Sequence, residues 1–120
     1  MRYMLLIYSN AETWDAMPHE DRMALSRGHR ELVAALQASG ELVHGSGLDD
    51  KSRSTVVRVT ADEEIEATDG PFIEAKEHLA GFYVVDVADH AAAVAIAARI
   101  PDAKVVAVEV RPVLTGPPPQ

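Results

Sequence analysis

Residues 81–100, GFYVVDVADHAAAVAIAARI, join an apolar strand directly to a helix and constrain how the rest of the chain is arranged. The first seven residues are mostly β-branched or aromatic, which favours a strand. Asp89 is a typical N-cap, and Pro101 ends the helix at the preceding residue. The narrow apolar face of this helix consists of Ala93, Ile96, Ala97 and Ile100. We therefore expect the helix to pack on one face of a sheet.

The N-terminal part of the chain predicts a second pairing of a strand with a helix. Residues 3–8, YMLLIY, form a nearly continuous apolar run, which is typical of a strand buried on both faces. Residues 9–18, SNAETWDAMP, are predicted to be a loop that contains several candidate helix caps. Residues 18–39 are predicted to be helical and to end at Gly40. The residues at helical spacing on one face are Leu25, His29, Leu32 and Leu36.

The remaining strands complete the predicted fold. They lie at residues 41–48, 55–60, 65–68 and 104–110. The two middle ones form a hairpin that turns at Asp62 and Glu63. Two helices separated by this order of strands predict an α+β ferredoxin-like sandwich, an antiparallel sheet with two helices on one face and a hairpin extension. We expect one domain, residues 1–114, and a flexible tail, residues 115–120.

The apolar character of the central strands predicts an oligomer. Residues 3–8, 82–87 and 105–110 are apolar on both sides, yet two helices cover only one face of the sheet. An apolar patch of that size is rarely left in water. We therefore expect a homodimer in which the uncovered sheet faces pack together.

Composition excludes several classes of function. A net charge of −8 without a basic stripe argues against direct binding of nucleic acid. The chain has no cysteine, and its apolar runs are too short to span a membrane, so we expect a cytoplasmic protein. The five histidines show no zinc-binding spacing, and no phosphate loop or dinucleotide motif occurs. Neither a metal nor a cofactor is predicted.

Residues 69–77, DGPFIEAKE, resemble the YCII-related family, in particular the branch whose motif is often spelled DGPFAETKE. This sequence departs from that spelling at Ile73 and Ala75. Supporting stretches are YMLLIY at residues 3–8, ELVAALQASGELVHGSGL at 31–48 and VEVRPV at 108–113. The resemblance implies the dimeric α/β-barrel form of the ferredoxin-like fold. It also implies, for some members, association with extracytoplasmic-function sigma factors, and in YCII-like relatives a histidine and an aspartate acting as an acid/base pair in a cleft.

His29 and Asp69 are the candidate catalytic residues. The helical stripe aims the His29 imidazole at the sheet, where it would serve as a general base if a carboxylate orients it. The alternative is a structural histidine whose two nitrogens are satisfied by backbone or water. Asp69 is the carboxylate that pairs with His29, the cap of an Asx turn before Gly70 and Pro71, or a solvent-facing residue with neither role.

The candidate substrate-binding residues are Phe72, Glu74, Lys76, Arg111 and His44. Phe72 would anchor the loop against the core and leave Glu74 and Lys76 oriented. Lys76 or Arg111 would hold a substrate carboxylate, or each would be a surface charge. His44 could approach His29 across the sheet. Two functions remain open: a small cofactor-independent enzyme that moves protons on a small organic substrate, and a non-catalytic binding or regulatory module.

Overall fold

A computed structural model describes residues 1–70 and 76–114 of the chain. Its strands are β1 (Arg2–Ser9), β2 (Leu42–Gly47), β3 (Thr55–Val59), β4 (Ile65–Asp69), β5 (His78–Asp86) and β6 (Ala107–Pro112). Its α-helices are α1 (Ala11–Ala16), α2 (His19–Ser39) and α3 (His90–Ala97), and two short 3-10 turns lie at Lys51–Arg53 and Pro101–Lys104.

Four strands form one antiparallel sheet in the order β2-β5-β1-β6. The two strands that the sequence marks as most apolar, β1 and β5, therefore lie at its centre. Helices α2 and α3 each connect two strands that are consecutive along the chain but not adjacent in the sheet. This is the arrangement of a ferredoxin-like sandwich, and the predicted fold class is confirmed.

The core lies between the helices and one face of the sheet, which we call the helix face. On β1 every second residue is buried, namely Tyr3, Leu5 and Ile7. The register places Leu5 opposite Tyr83 and Tyr3 opposite Val85, so both central strands present their buried side chains to the same side. The buried residues of the helices that pack on this face are Leu32, Leu36, Ala93, Ile96 and Ala97.

The opposite face, which we call the open face, is apolar at its centre but polar toward β6. Met4, Leu6, Phe82 and Val84 lie here and are partly exposed. Beside them Tyr8 donates a hydrogen bond to Glu109 Oε1 at 2.8 Å, and Arg111 donates to Glu109 Oε2 at 2.5 Å. These hydrogen bonds, with that from Arg111 the stronger influence, lower the pKa of the Glu109 carboxyl.

Helix α1 corrects the prediction of a loop at residues 9–18. Asn10 caps the helix, since its Oδ1 accepts a hydrogen bond from the Thr13 backbone N–H at 2.7 Å. Arg22 on α2 stabilises the position of α1 through two contacts with Trp14. Its guanidinium lies 4.7 Å from the centre of the Trp14 ring and donates a hydrogen bond to the Trp14 carbonyl oxygen at 2.6 Å. A helix of six residues is too short to show a 3.6-residue periodicity, so the caps were its only signal.

Two boundaries differ from the prediction in a way that matters for the site. Strand β5 begins at His78, three residues before the predicted start at residue 81. Strand β6 begins at Ala107 instead of residue 104, because Pro101 starts a 3-10 turn, Pro101–Lys104, after α3. That turn brings Asp102 close to α2.

Strands β3 and β4 form the predicted hairpin as a separate two-stranded sheet, with Thr55 opposite Asp69 and Val59 opposite Ile65. Its turn contains Glu63 at φ 62°, in the left-handed region. One side of the hairpin exposes Val57, Val59 and Ile65. In residues 1–70 and 76–114 no helix combines the length and the hydropathy needed to cross a membrane.

Candidate functional site

Helix α2 and the 3-10 turn Pro101–Lys104 meet at a contact that only glycine allows. A Cβ atom on Gly28 would lie 2.6 Å from Cγ of Pro101, well inside van der Waals contact. The missing side chain therefore lets the helix approach the turn closely. Because His29 follows Gly28 and Asp102 follows Pro101, the same contact brings the imidazole and the carboxylate together.

His29 has a partner on each ring nitrogen. Its Nε2 lies 2.5 Å from Asp102 Oδ1, and its Nδ1 lies 2.5 Å from the Tyr83 hydroxyl. In the neutral ring, these contacts favour the tautomer in which Nε2–H donates to the carboxylate and the Tyr83 hydroxyl donates to Nδ1. In the protonated ring, Nδ1–H donates to the Tyr83 oxygen instead. The three side chains form a continuous hydrogen-bonded chain in both states.

The Tyr83 hydroxyl is protonated at neutral pH, and its pKa is raised. It is only 5% exposed, and burial, followed by the negative charge of Asp102, raises its pKa to about 12. Its ring has room because position 45 on β2 is glycine: a Cβ there would lie 2.6 Å from Cδ1 of the Tyr83 ring. At neutral pH the hydroxyl is therefore a proton donor, oriented by His29.

These side chains open onto a cavity of about 470 Å³ between α2 and the β2–β5 side of the helix face. A volume of this size is typical of small-molecule sites. The cavity is lined by Ile7, His29, Arg30, Val33, Ala34, Gln37, Gly45, Ser46, Gly47, Ala80, Gly81, Tyr83 and Asp102. The His29 and Asp102 side chains are 26% and 14% exposed, so the pair is partly shielded from water and still accessible.

A second cavity of about 410 Å³ adjoins the first, because Ala80 and Asp102 line both. Its walls include Asp15, Asp49, Asp50 and His78. Despite these acids, no group of three or more potential ligands in residues 1–70 and 76–114 is arranged to hold a metal ion.

The carboxylate that contacts His29 is Asp102, which sequence reasoning missed. Asp69 ends strand β4 in the hairpin, opposite Thr55, and is exposed. Since Tyr83 and Asp102 occupy both nitrogens of His29, the expected pairing of His29 with Asp69 is absent among these described residues. A catalytic role for Asp69 stays a prediction. The only local signal for Asp102 was its position directly after a helix-ending proline.

The three predicted binding residues that the structure describes, Lys76, Arg111 and His44, do not line this cavity. Lys76 lies 3.5 Å from Glu12 in an exposed ion pair, and Arg111 pairs with Glu109 on the open face. His44 is also on the open face, where its ring packs 5.7 Å from that of Phe82, so the sheet separates it from His29. Phe72 and Glu74 lie outside the described residues, as does the predicted tail, residues 115–120.

The fold and the cavity together define a class of protein: a small ferredoxin-like α+β domain with a histidine–carboxylate pair between its first long helix and the sheet. The family model of the YCII-related domain matches residues 1–115, so the chain belongs to the YCII-related family. No curated protein matches the chain.

Proposed function

We propose that the protein is an enzyme that catalyses proton transfer on a small organic molecule bound in the cavity of His29, Tyr83 and Asp102. The observation that carries the proposal is the unbroken chain from the Tyr83 hydroxyl through the imidazole to the carboxylate, with all three groups lining one cavity. An imidazole oriented by a carboxylate is the usual arrangement of a general base.

In this mechanism Tyr83 meets the substrate and His29 accepts the proton indirectly. As a C–H bond of the substrate breaks, its electron pair stays on the substrate and its proton moves to the Tyr83 oxygen. The Tyr83 hydroxyl proton passes to Nδ1 of His29 in the same step. Asp102 stabilises the resulting imidazolium through Nε2–H. Reversal at a second substrate atom returns the proton, so the reaction is an isomerisation that needs no further reactant.

Proton–deuterium exchange in heavy water tests this function. Small carbon acids, including cyclic ketones and unsaturated ring carboxylic acids, are incubated with the protein, and loss of their C–H signals is followed by proton NMR. We expect catalysed exchange that falls by about 10²-fold or more in His29→Gln and Tyr83→Phe, in line with the usual size of general acid–base contributions. The matched control, Asp69→Asn, should keep the wild-type rate. Equal exchange in wild type and His29→Gln across the whole panel would refute the proposal.

The proposal includes a homodimer formed through the open face. Supporting it are the partly exposed apolar side chains of Met4, Leu6, Phe82 and Val84, which no described helix covers. The alternative of a binding or regulatory module, and any association with a sigma factor, stay predictions from the sequence and its resemblance.

A further inference from the structure

The floor of the cavity is bare backbone. Gly47 on β2 lies opposite Gly81 on β5, and Gly45 lies opposite Tyr83, so three glycines adjoin one another across two paired strands. All three line the cavity on the helix face. Where sheet residues lack side chains, the peptide planes form a flat surface that a ligand can approach closely.

The three glycines differ in why a side chain is missing. At Gly45 and Gly81 an added Cβ would collide, with the Tyr83 ring at 2.6 Å and with the Ser46 carbonyl oxygen at 2.9 Å. At Gly47 no atom of the described residues, other than its neighbours in the chain, lies within 4 Å of the added Cβ, and its φ is not in the left-handed region. Nothing in the packing of the described residues therefore demands glycine at position 47. Its Cβ would project into open space at the lining of the cavity, so the missing side chain leaves room for a ligand there.

The cavity also has a charged residue at its rim. Among the described residues that line it, Arg30 is the one cation that stays charged at every relevant pH. Arg30 donates a hydrogen bond to Ser26 at 3.3 Å, and within the described residues it forms no ion pair. Its guanidinium is thus available for a carboxylate, a role for which its planar fork is well suited. The remaining walls include the apolar side chains of Ile7, Val33 and Ala34.

We propose that the cavity takes a planar ring that bears one carboxylate, with the ring face on the backbone of Gly47 and Gly81, beside the Tyr83 ring that packs over Gly45, and the carboxylate at Arg30. This assignment rests on the proposed proton-transfer function of the same cavity, since it sets the ring beside the Tyr83 hydroxyl. An unsaturated ring is also the kind of carbon acid whose anion is delocalised, which suits removal of a proton by Tyr83 and His29.

Binding of three matched probes tests the ligand class. Benzoate is planar and anionic, cyclohexanecarboxylate is anionic but puckered, and benzamide is planar but neutral. Two-dimensional amide NMR follows each titration. We expect benzoate to shift the resonances of Gly45, Gly47 and Gly81 and to bind roughly tenfold more tightly than either other probe, because each lacks one of the two recognition features.

Two variants assign the contacts. Arg30→Gln should weaken benzoate roughly tenfold and leave benzamide unchanged, as expected for loss of a charge-assisted pair. Arg27→Gln, an exposed arginine of α2 outside the cavity lining, is the control and should bind all probes normally. Gly47→Ala should weaken both planar probes by roughly fivefold or more, since its methyl group occupies the floor.

Benzoate binding that is the same in wild type, Arg30→Gln and Gly47→Ala would overturn the ligand class. So would equal affinity for benzoate and cyclohexanecarboxylate. These outcomes are separate from failure of the proposed function. If His29 and Tyr83 promote exchange but benzoate does not bind at the glycines, only the ligand class is wrong. If benzoate binds as expected and exchange does not depend on His29, only the chemistry is wrong.

Discussion

At the scale of single residues, the site depends on which group faces the substrate. His29 is the residue that the helical spacing of the sequence singles out, yet both of its nitrogens have protein partners at 2.5 Å. The group left to face the cavity is the oxygen of the buried Tyr83 phenol, which can accept a proton from the substrate while its own proton passes to His29. Its burial suits this role, because a phenol with a raised pKa keeps its proton at neutral pH until the imidazole accepts it.

The titration of Tyr83 gives a prediction for alkaline pH. Its pKa is raised to about 12, so the folded protein holds the phenol proton more tightly than the unfolded chain does. The contribution to the free energy of unfolding is therefore fully present below about pH 10 and is lost as the pH rises toward 12. The pKa of Tyr8 is also raised, chiefly by its hydrogen bond to Glu109, and we expect phenolate absorbance to show Tyr83 ionising late, near pH 12. The Tyr83→Phe variant should lack that late ionisation, and its free energy of unfolding should fall less than that of the wild type as the pH rises from about 10 toward 12.

At the scale of elements, the structure explains how far the sequence could lead. Local sequence patterns correctly predicted several elements. They are the apolar run of strand β1, the helical spacing of apolar residues on α2, and Gly40 as the end of that helix. Gly40 indeed ends α2 in the left-handed conformation, at φ 78°. The pairing of His29 with Asp102 joins residues 73 positions apart and depends on a 3-10 turn docking against α2. No periodicity encodes such a contact, so the sequence predicts Asp69 as the partner of His29 instead of Asp102.

The close approach of α2 to the turn Pro101–Lys104 predicts that a glycine-to-alanine substitution in this helix lowers the free energy of unfolding, the opposite of the usual effect. Replacing glycine by alanine inside a helix ordinarily stabilises it by about 1 kcal/mol. For Gly28→Ala we expect a net loss of about 1–3 kcal/mol instead, because the new Cβ meets the Pro101 ring. Urea unfolding measures the change.

Pro101 supplies the control for this substitution. The double variant Gly28→Ala with Pro101→Ala removes the colliding Cγ and should recover part of the stability lost in Gly28→Ala, relative to Pro101→Ala alone. A stabilising effect of Gly28→Ala by itself would contradict the close contact between helix and turn.

At the scale of the whole molecule, the two faces of the sheet have different functions in this account. The helix face carries the core and the cavity. The open face carries partly exposed apolar residues beside a hydrogen-bonded group of Tyr8, Glu109 and Arg111. That group lies on the opposite side of the sheet from His29. Arg111 is therefore assigned to the proposed dimer face and not to substrate binding.

Two substitutions test the proposed dimer, one on the open face of the sheet and one on the exposed surface of helix α3. Leu6→Glu places a charge at the centre of the open face and should convert the dimer to a monomer in analytical ultracentrifugation, since an unpaired buried charge is costly. Val94→Glu, at an exposed apolar position of α3, is the matched control and should remain dimeric. Wild-type protein that sediments as a monomer at high concentration would contradict the proposed interface.

The most direct test of the central claim is a long-range nitrogen–proton NMR measurement of the His29 ring in wild type and three variants. We expect a proton on Nε2 in the neutral ring, Nε2 resonances that move in Asp102→Asn, and Nδ1 resonances that move in Tyr83→Phe. Asp69→Asn should leave both nitrogens unchanged. Two results would contradict this expectation: His29 ring resonances that do not change in Asp102→Asn, or resonances that change as much in Asp69→Asn. Either result would mean that the hydrogen-bonded chain of Tyr83, His29 and Asp102 does not carry the function of this cavity.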